Sequence, residues 1–77
     1  MEPIVMYSTQ WCGYCRAAKA LLKEKDLEFS EIDVDADQSK RQEMIQRSGR
    51  QTVPQIFFGE KHIGGYTDLH AYFNQNR

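Results

Sequence analysis

Cys12 and Cys15 are the only cysteines of the chain, and only Gly13 and Tyr14 separate them. That spacing puts the two thiols one helical turn apart, where they can close a disulfide. A bridge so short closes almost no loop, and a structural disulfide stabilises more as its loop lengthens. The pair therefore reads as a reversible redox switch, of the kind used catalytically in a reducing cytosol. The thiolate is the reactive form. Cys12 is expected at the first turn of a helix, where unpaired backbone N–H groups and the helix dipole favour a negative sulfur. Cys15 follows one turn later on the same face and is expected to be more buried. This suits attack by Cys12 and resolution by Cys15. Tyr14 offers an aromatic wall beside the exposed sulfur; Trp11 either does the same or, as the favoured reading, fills a gap under the loop.

A zinc site would need two more ligands. His62 and His70 are the only histidines; they lie far downstream, and the gap between them is wider than the usual finger spacing. No metal is expected. His62 reads as a strand residue on the solvent face and His70 as a helix surface residue.

Two further motifs bear on the sulfurs. Thr52-Val53-Pro54 precedes an apolar run; its proline either marks an edge or turn, or sits in a cis bond, a costly and usually specific geometry. In the second case the backbone N–H and C=O of Val53 would lie beside the sulfurs, ready to pair with an extended peptide that carries a thiol. Gly64-Gly65-Tyr66-Thr67-Asp68 reads either as a loop and helix cap or as an anion nest of bare backbone N–H groups. Asp68 would add a partner for an ammonium. A carboxylate and an ammonium on one carbon make an amino-acid end, so this segment suits the γ-glutamyl head of a small peptide.

The elements that must position these groups follow from periodicity. Ile4-Val5-Met6-Tyr7 reads as a buried strand, and Ser8-Thr9-Gln10 as a polar loop. Tyr14 to Lys25 reads as a helix, with Ala17, Ala18, Leu21 and Leu22 on one face. Phe29, Ile32 and Val34 mark a second strand. Ser39 and Gln42 fit a capping box for a second helix, anchored by Met44 and Ile45 and ended by Gly49. Gln55-Ile56-Phe57-Phe58, the Gly59-Glu60 turn and Lys61-His62-Ile63 make a hairpin. Thr67 or Asp68 would cap a last helix carrying Leu69, Tyr72 and Phe73. The order βαβαββα predicts an α/β fold: a four-stranded mixed sheet flanked by three helices, with a right-handed parallel crossover in its first half. The loop after the first strand then opens at the carboxyl ends of the parallel strands, where α/β sites form.

Seventy-seven residues suffice for one domain, taken as 1–77. The net charge of −1 supplies no basic patch for nucleic acid. No apolar run approaches a membrane span or signal peptide, so neither a membrane nor export is expected.

Cys12-Gly13-Tyr14-Cys15, Thr52-Val53-Pro54 and Gly64-Gly65-Tyr66-Thr67-Asp68, in that order and spacing, resemble the glutaredoxins of the short bacterial dithiol type. The likeness covers nearly the whole chain. It implies a thioredoxin fold and a glutathione-dependent disulfide reductase, active in electron transport and redox homeostasis of the cytoplasm. Cys12 matches the nucleophile and Cys15 the resolving thiol. Pro54 matches the cis-proline, Val53 the residue whose backbone pairs with the cysteinyl part of glutathione, and Thr67 and Asp68 those that hold the glutamyl end, with Gly65 among the glutathione-binding residues. Arg41 falls where the family places a polar or basic side chain near the glycine carboxylate, and its fork suits that group. Trp11, Tyr14 and Tyr66 are expected to wall the groove. Glutathione is implied as co-substrate with no tightly bound cofactor. Disulfide-bonded or glutathionylated proteins, such as ribonucleotide reductase, are implied partners of a monomer. The chain departs from the common pattern with Gly13 in place of proline, Thr9 in place of lysine, and Tyr66 in place of a small residue or cysteine. Gly13 resembles the class that holds iron–sulfur clusters, so an alternative is a [2Fe-2S] carrier, a dimer bridged by glutathione. A second alternative is a dithiol donor reduced by a flavoprotein reductase, against which Arg41 and the glycine-rich segment argue.

Overall fold

The computed structural model describes residues 2–75. The first strand, β1 (Ile4–Ser8), is followed by helix α1 (Gly13–Glu24), strand β2 (Ser30–Asp33) and helix α2 (Gln38–Ser48). The hairpin of β3 (Gln55–Phe58) and β4 (Lys61–Gly64) comes next, and helix α3 (Tyr66–Gln75) closes the order. The sheet order is β2-β1-β3-β4. β1 runs parallel to β2 and antiparallel to β3, and β3 pairs antiparallel with β4. This is the expected four-stranded mixed sheet of the thioredoxin fold.

Side chains alternate across a pleated strand, and here both sheet faces are covered. Ile4, Met6 and Ile56 meet Ala18 and Leu22 of α1 and Leu69 of α3 on one face. Tyr7 and Phe57 meet Met44 of α2 and Val34 on the other. The second helix has few apolar anchors, and polar contacts supplement them. Buried Tyr7 donates its hydroxyl to Glu43 Oε2 (2.5 Å) and accepts from Arg47 Nη1 (2.7 Å). The Arg47 guanidinium lies 4.0 Å from the centre of the Phe57 ring, where its flat face can stack on the aromatic.

Helix ends differ from expectation at two places. Asp37, not Ser39, caps α2: its Oδ1 accepts from the Ser39 backbone N–H (2.9 Å) and hydroxyl (2.6 Å). A carboxylate two residues earlier reaches the free N–H groups and also suits the positive end of the helix. Neither Thr67 nor Asp68 caps α3 from outside. Asp68 lies in the first turn and reaches back to accept from Gly65 N–H at 3.0 Å, the return half of a capping box. Helix α1 ends with Asp26 left-handed at φ 58°. Leu27 N–H there bonds Leu22 O and Asp26 N–H bonds Lys23 O, a Schellman closure that satisfies the last carbonyls. Gly49 ends α2 as expected, with φ 72° and its N–H on Ile45 O.

Candidate active site

Cys12 is itself the residue that caps α1. Its backbone is extended (φ −104°, ψ 117°), and its sulfur accepts from the Cys15 N–H at 3.2 Å. A helix N-terminus thus delivers a backbone donor directly to that sulfur, the polar environment a thiolate needs. Both cysteines are free thiols; Cys12 is partly exposed and Cys15 buried. Burial first, and a hydrogen bond with Cys12 second, push the Cys15 thiol up to about 12. One sulfur is therefore presented and the other withheld as a neutral thiol, the asymmetry that attack and resolution require.

The Cys12 thiol lies 3.7 Å from Val53 O and donates to it. The Val53–Pro54 bond is cis. Pro54 is buried, and its carbonyl packs against Gly65, where an added Cβ would stand 3.4 Å from Pro54 O. Between the proline loop and the start of α3 lies an open hollow of about 320 Å³. Tyr14, Val53, Pro54, Gly65, Tyr66, Thr67 and Asp68 line it together with Arg50, Thr52 and Gln55. The structure thus brings together most of the residues singled out from sequence. Tyr14 and Tyr66 stack across its mouth with centroids 6.1 Å apart.

Asp68 accepts from Gly65 N–H and pairs with Arg50 Nη1 at 3.2 Å. These contacts, the backbone bond first, hold its carboxyl below the usual carboxylate range. Gly64 is what lets Asp68 fold back. Its φ is +120°, and a Cβ there would stand within 2.3 Å of Asp68 Oδ2. Gly65 N–H is consequently engaged by the protein's own carboxylate, so the glycine pair is not a bare anion nest. The N–H groups that open α3 beyond Gly65 are the ones left for an anion.

Three side chains read from sequence lie outside this hollow, and for Trp11 and His62 the reading changes. Arg41 does not line this hollow; its Nη2 pairs with Asp35 Oδ1 at 3.1 Å, beside the start of α2. Trp11 fills no gap, because it is 87% exposed. It borders a separate hollow with Gln10, Asp33, Asp35 and Ala36. His62 is half-buried: it packs on Phe57 at 4.9 Å, and its Nε2 lies 2.7 Å from Gln55 Oε1. His70 is exposed, as expected. Arg50 and Gln55 escaped the sequence reading. The available signal for Arg50 was a cation just beyond the Gly49 helix stop and two residues before Thr52.

The family model described as Glutaredoxin matches residues 4–63. The chain is 51% identical over 71 residues to Glutaredoxin 3 of Escherichia coli K12, covering 92% of this chain and 86% of that protein. It is 49% identical over 71 residues to a glutaredoxin of Pseudomonas aeruginosa, covering 92% and 84%. Among solved structures, the solution structure of glutaredoxin from Brucella melitensis superposes with a TM-score of 0.84 at 48% identity, covering 97% of this chain and 82% of that one. The crystal structure of a buckwheat glutaredoxin–glutathione complex gives 0.88 at 29% identity, covering 97% and 71%. A dithiol at a helix N-terminus facing a cis-proline, on a chain half identical to bacterial relatives, makes this protein a thiol–disulfide oxidoreductase that belongs to the glutaredoxin family.

Proposed function

We propose that the protein reduces protein–glutathione mixed disulfides through Cys12, and protein disulfides through Cys12 and Cys15, with glutathione as the reductant. The observation that carries this reading is the hollow that begins beside Val53, whose carbonyl holds the Cys12 thiol, and ends at Asp68. The buckwheat relative's complex with glutathione supports it. The cysteinyl part of the tripeptide would pair with the Val53 backbone as a short added strand. Its glutamyl ammonium would face Asp68, and its α-carboxylate the free N–H groups at Thr67 and Asp68, with Pro54 and Gly65 shaping the floor. The glycine end would run past Cys12 towards Trp11 and Asp35, where Arg41 is the nearby cation. Tyr14 and Tyr66 would flank the mouth.

In the first reaction the Cys12 thiolate attacks the glutathione sulfur of the mixed disulfide. The target sulfur leaves as a thiolate and takes a proton, and Cys12 carries glutathione. A glutathione thiolate then attacks that sulfur, releasing oxidised glutathione and the Cys12 thiolate. With a protein disulfide, Cys12 bonds one target sulfur and the other departs as a thiolate. Cys15 gives up its proton, attacks Cys12 and expels the second target thiol. Two glutathiones reopen the resulting Cys12–Cys15 bridge and leave as one oxidised glutathione.

The test is reduction of a glutathionylated peptide and of a protein disulfide by Cys12→Ser and Cys15→Ser. Cys12→Ser is expected to lose both activities, whereas Cys15→Ser keeps the first and loses the second. Activity of Cys12→Ser on the glutathionylated peptide would overturn the assignment.

A further inference from the structure

Gln55 and His62 lie outside the thiol machinery, yet they are tied to the loop that faces Cys12. Gln55 is 1% exposed. Its Nε2 donates to Thr52 O at 3.0 Å and lies 3.3 Å from Thr52 Oγ1. Its Oε1 lies 2.7 Å from His62 Nε2. Donor and acceptor roles follow by elimination. A carbonyl only accepts, so the amide nitrogen of Gln55 faces Thr52 and its oxygen faces His62. That oxygen also only accepts, so His62 Nε2 carries the hydrogen. Sheet register explains the meeting: His62 pairs with Phe57, and Gln55 lies two residues before Phe57 on the same face.

We propose that Gln55 and His62 are positioning residues: His62 holds the Gln55 amide, Gln55 holds the Thr52 carbonyl, and the Val53 carbonyl is thereby fixed against the Cys12 thiol. Arg50, Gln51 and Thr52 are all exposed, so packing does not hold this stretch. Gln55 offers a fixed point at the buried start of β3, and breaking its bond would leave a buried amide or carbonyl unpaired. Loosening Thr52 would then blur the backbone site on which substrate is paired, because one misplaced ångström lowers rate steeply. The inference rests on the functional reading above.

The test compares His62→Phe, which keeps the packing on Phe57 but removes the donor, with His62→Gln, whose amide nitrogen can replace Nε2–H. Turnover of a glutathionylated peptide is measured at a temperature where circular dichroism shows each variant folded. His62→Phe should lower kcat/KM by roughly five- to tenfold, the effect of one lost buried hydrogen bond. His62→Gln should return to within about twofold of wild type. Gln55→Leu should fall at least as far as His62→Phe; if it does not fold, the His62 pair decides alone. The ring nitrogen spectrum of wild-type protein should show the neutral His62 tautomer protonated at Nε2. His62→Phe at wild-type activity, His62→Gln as impaired as His62→Phe, or the Nδ1–H tautomer would each overturn the relay. A wild-type protein that fails to turn over the peptide counts against the functional reading instead, and the nitrogen spectrum still decides the relay.

Discussion

Cys12→Ser leaves Cys15 as the sole thiol and isolates the consequence of its burial. Cys15 is 1% exposed, and its ordinary value near 9.0 is pushed up to about 12, chiefly by loss of water around the thiolate. The Cys12 hydrogen bond is the second cause and leaves with the substitution, so burial is the cause that remains. At pH 7 an ordinary thiol is ionised to roughly one part in a hundred, and the buried one to roughly one in 10⁵. Alkylation requires the thiolate, so folded Cys15 should react with iodoacetamide more slowly than in denaturant, by up to about 10³-fold. An intact-mass time course reads both rates. Restricted access alone would slow the reaction too, and pH separates the causes. With a raised pKa, the rate climbs about tenfold per pH unit through pH 10 without levelling. A plateau near pH 9, or a folded rate within about tenfold of the unfolded one, would show that burial does not hold this thiol neutral.

The same shift couples folding to alkaline pH. The unfolded thiol ionises near 9 and the folded one near 12, so its contribution to stability is complete below the first value and lost by the second. Denaturant titrations should show a steeper fall across that window in the parent than in Cys15→Ser; equal slopes would contradict it. Asp68→Ala removes the proposed ammonium partner, and should raise KM for a glutathionylated peptide about tenfold with little change in kcat, the scale of one charged hydrogen bond at a half-exposed site. An unchanged KM would remove Asp68 from the glutathione site. Gly64→Ala combines φ +120° with a clash on Asp68. It should cost about 2 kcal/mol or more of stability, read as a lowered Tm. Gly13, with nothing within 4 Å of an added Cβ, should accept alanine without a comparable loss.

The sulfur pair, the strand–helix order and the proline loop were legible because each is a local pattern: a two-residue spacing, a hydrophobic period, a Thr-Val-Pro segment. What escaped depends on distant neighbours. Asp37 and Ser39 both fit a helix start, and only the observed entry of the chain into α2 lets the carboxylate win. Arg41 and Arg50 are both cations upstream of Thr52. Asp35 holds the first beside the start of α2, and Asp68, eighteen residues on, draws the second into the hollow. The apolar side chain of Trp11 argued for packing, but the loop between β1 and α1 turns it outward. The Gln55–His62 contact joins two strands across a register irregularity between Ile56 and Phe57, which no period in the sequence announces.

In the proposed reaction Cys12 attacks the glutathione half of a mixed disulfide and Cys15 takes no part in that step. Intact-mass analysis of Cys15→Ser, mixed with a glutathionylated peptide and quenched in acid, isolates that step. The expected products are Cys12 carrying one glutathione and free peptide. Peptide bound to Cys12 with glutathione released, or no adduct at all, would contradict it.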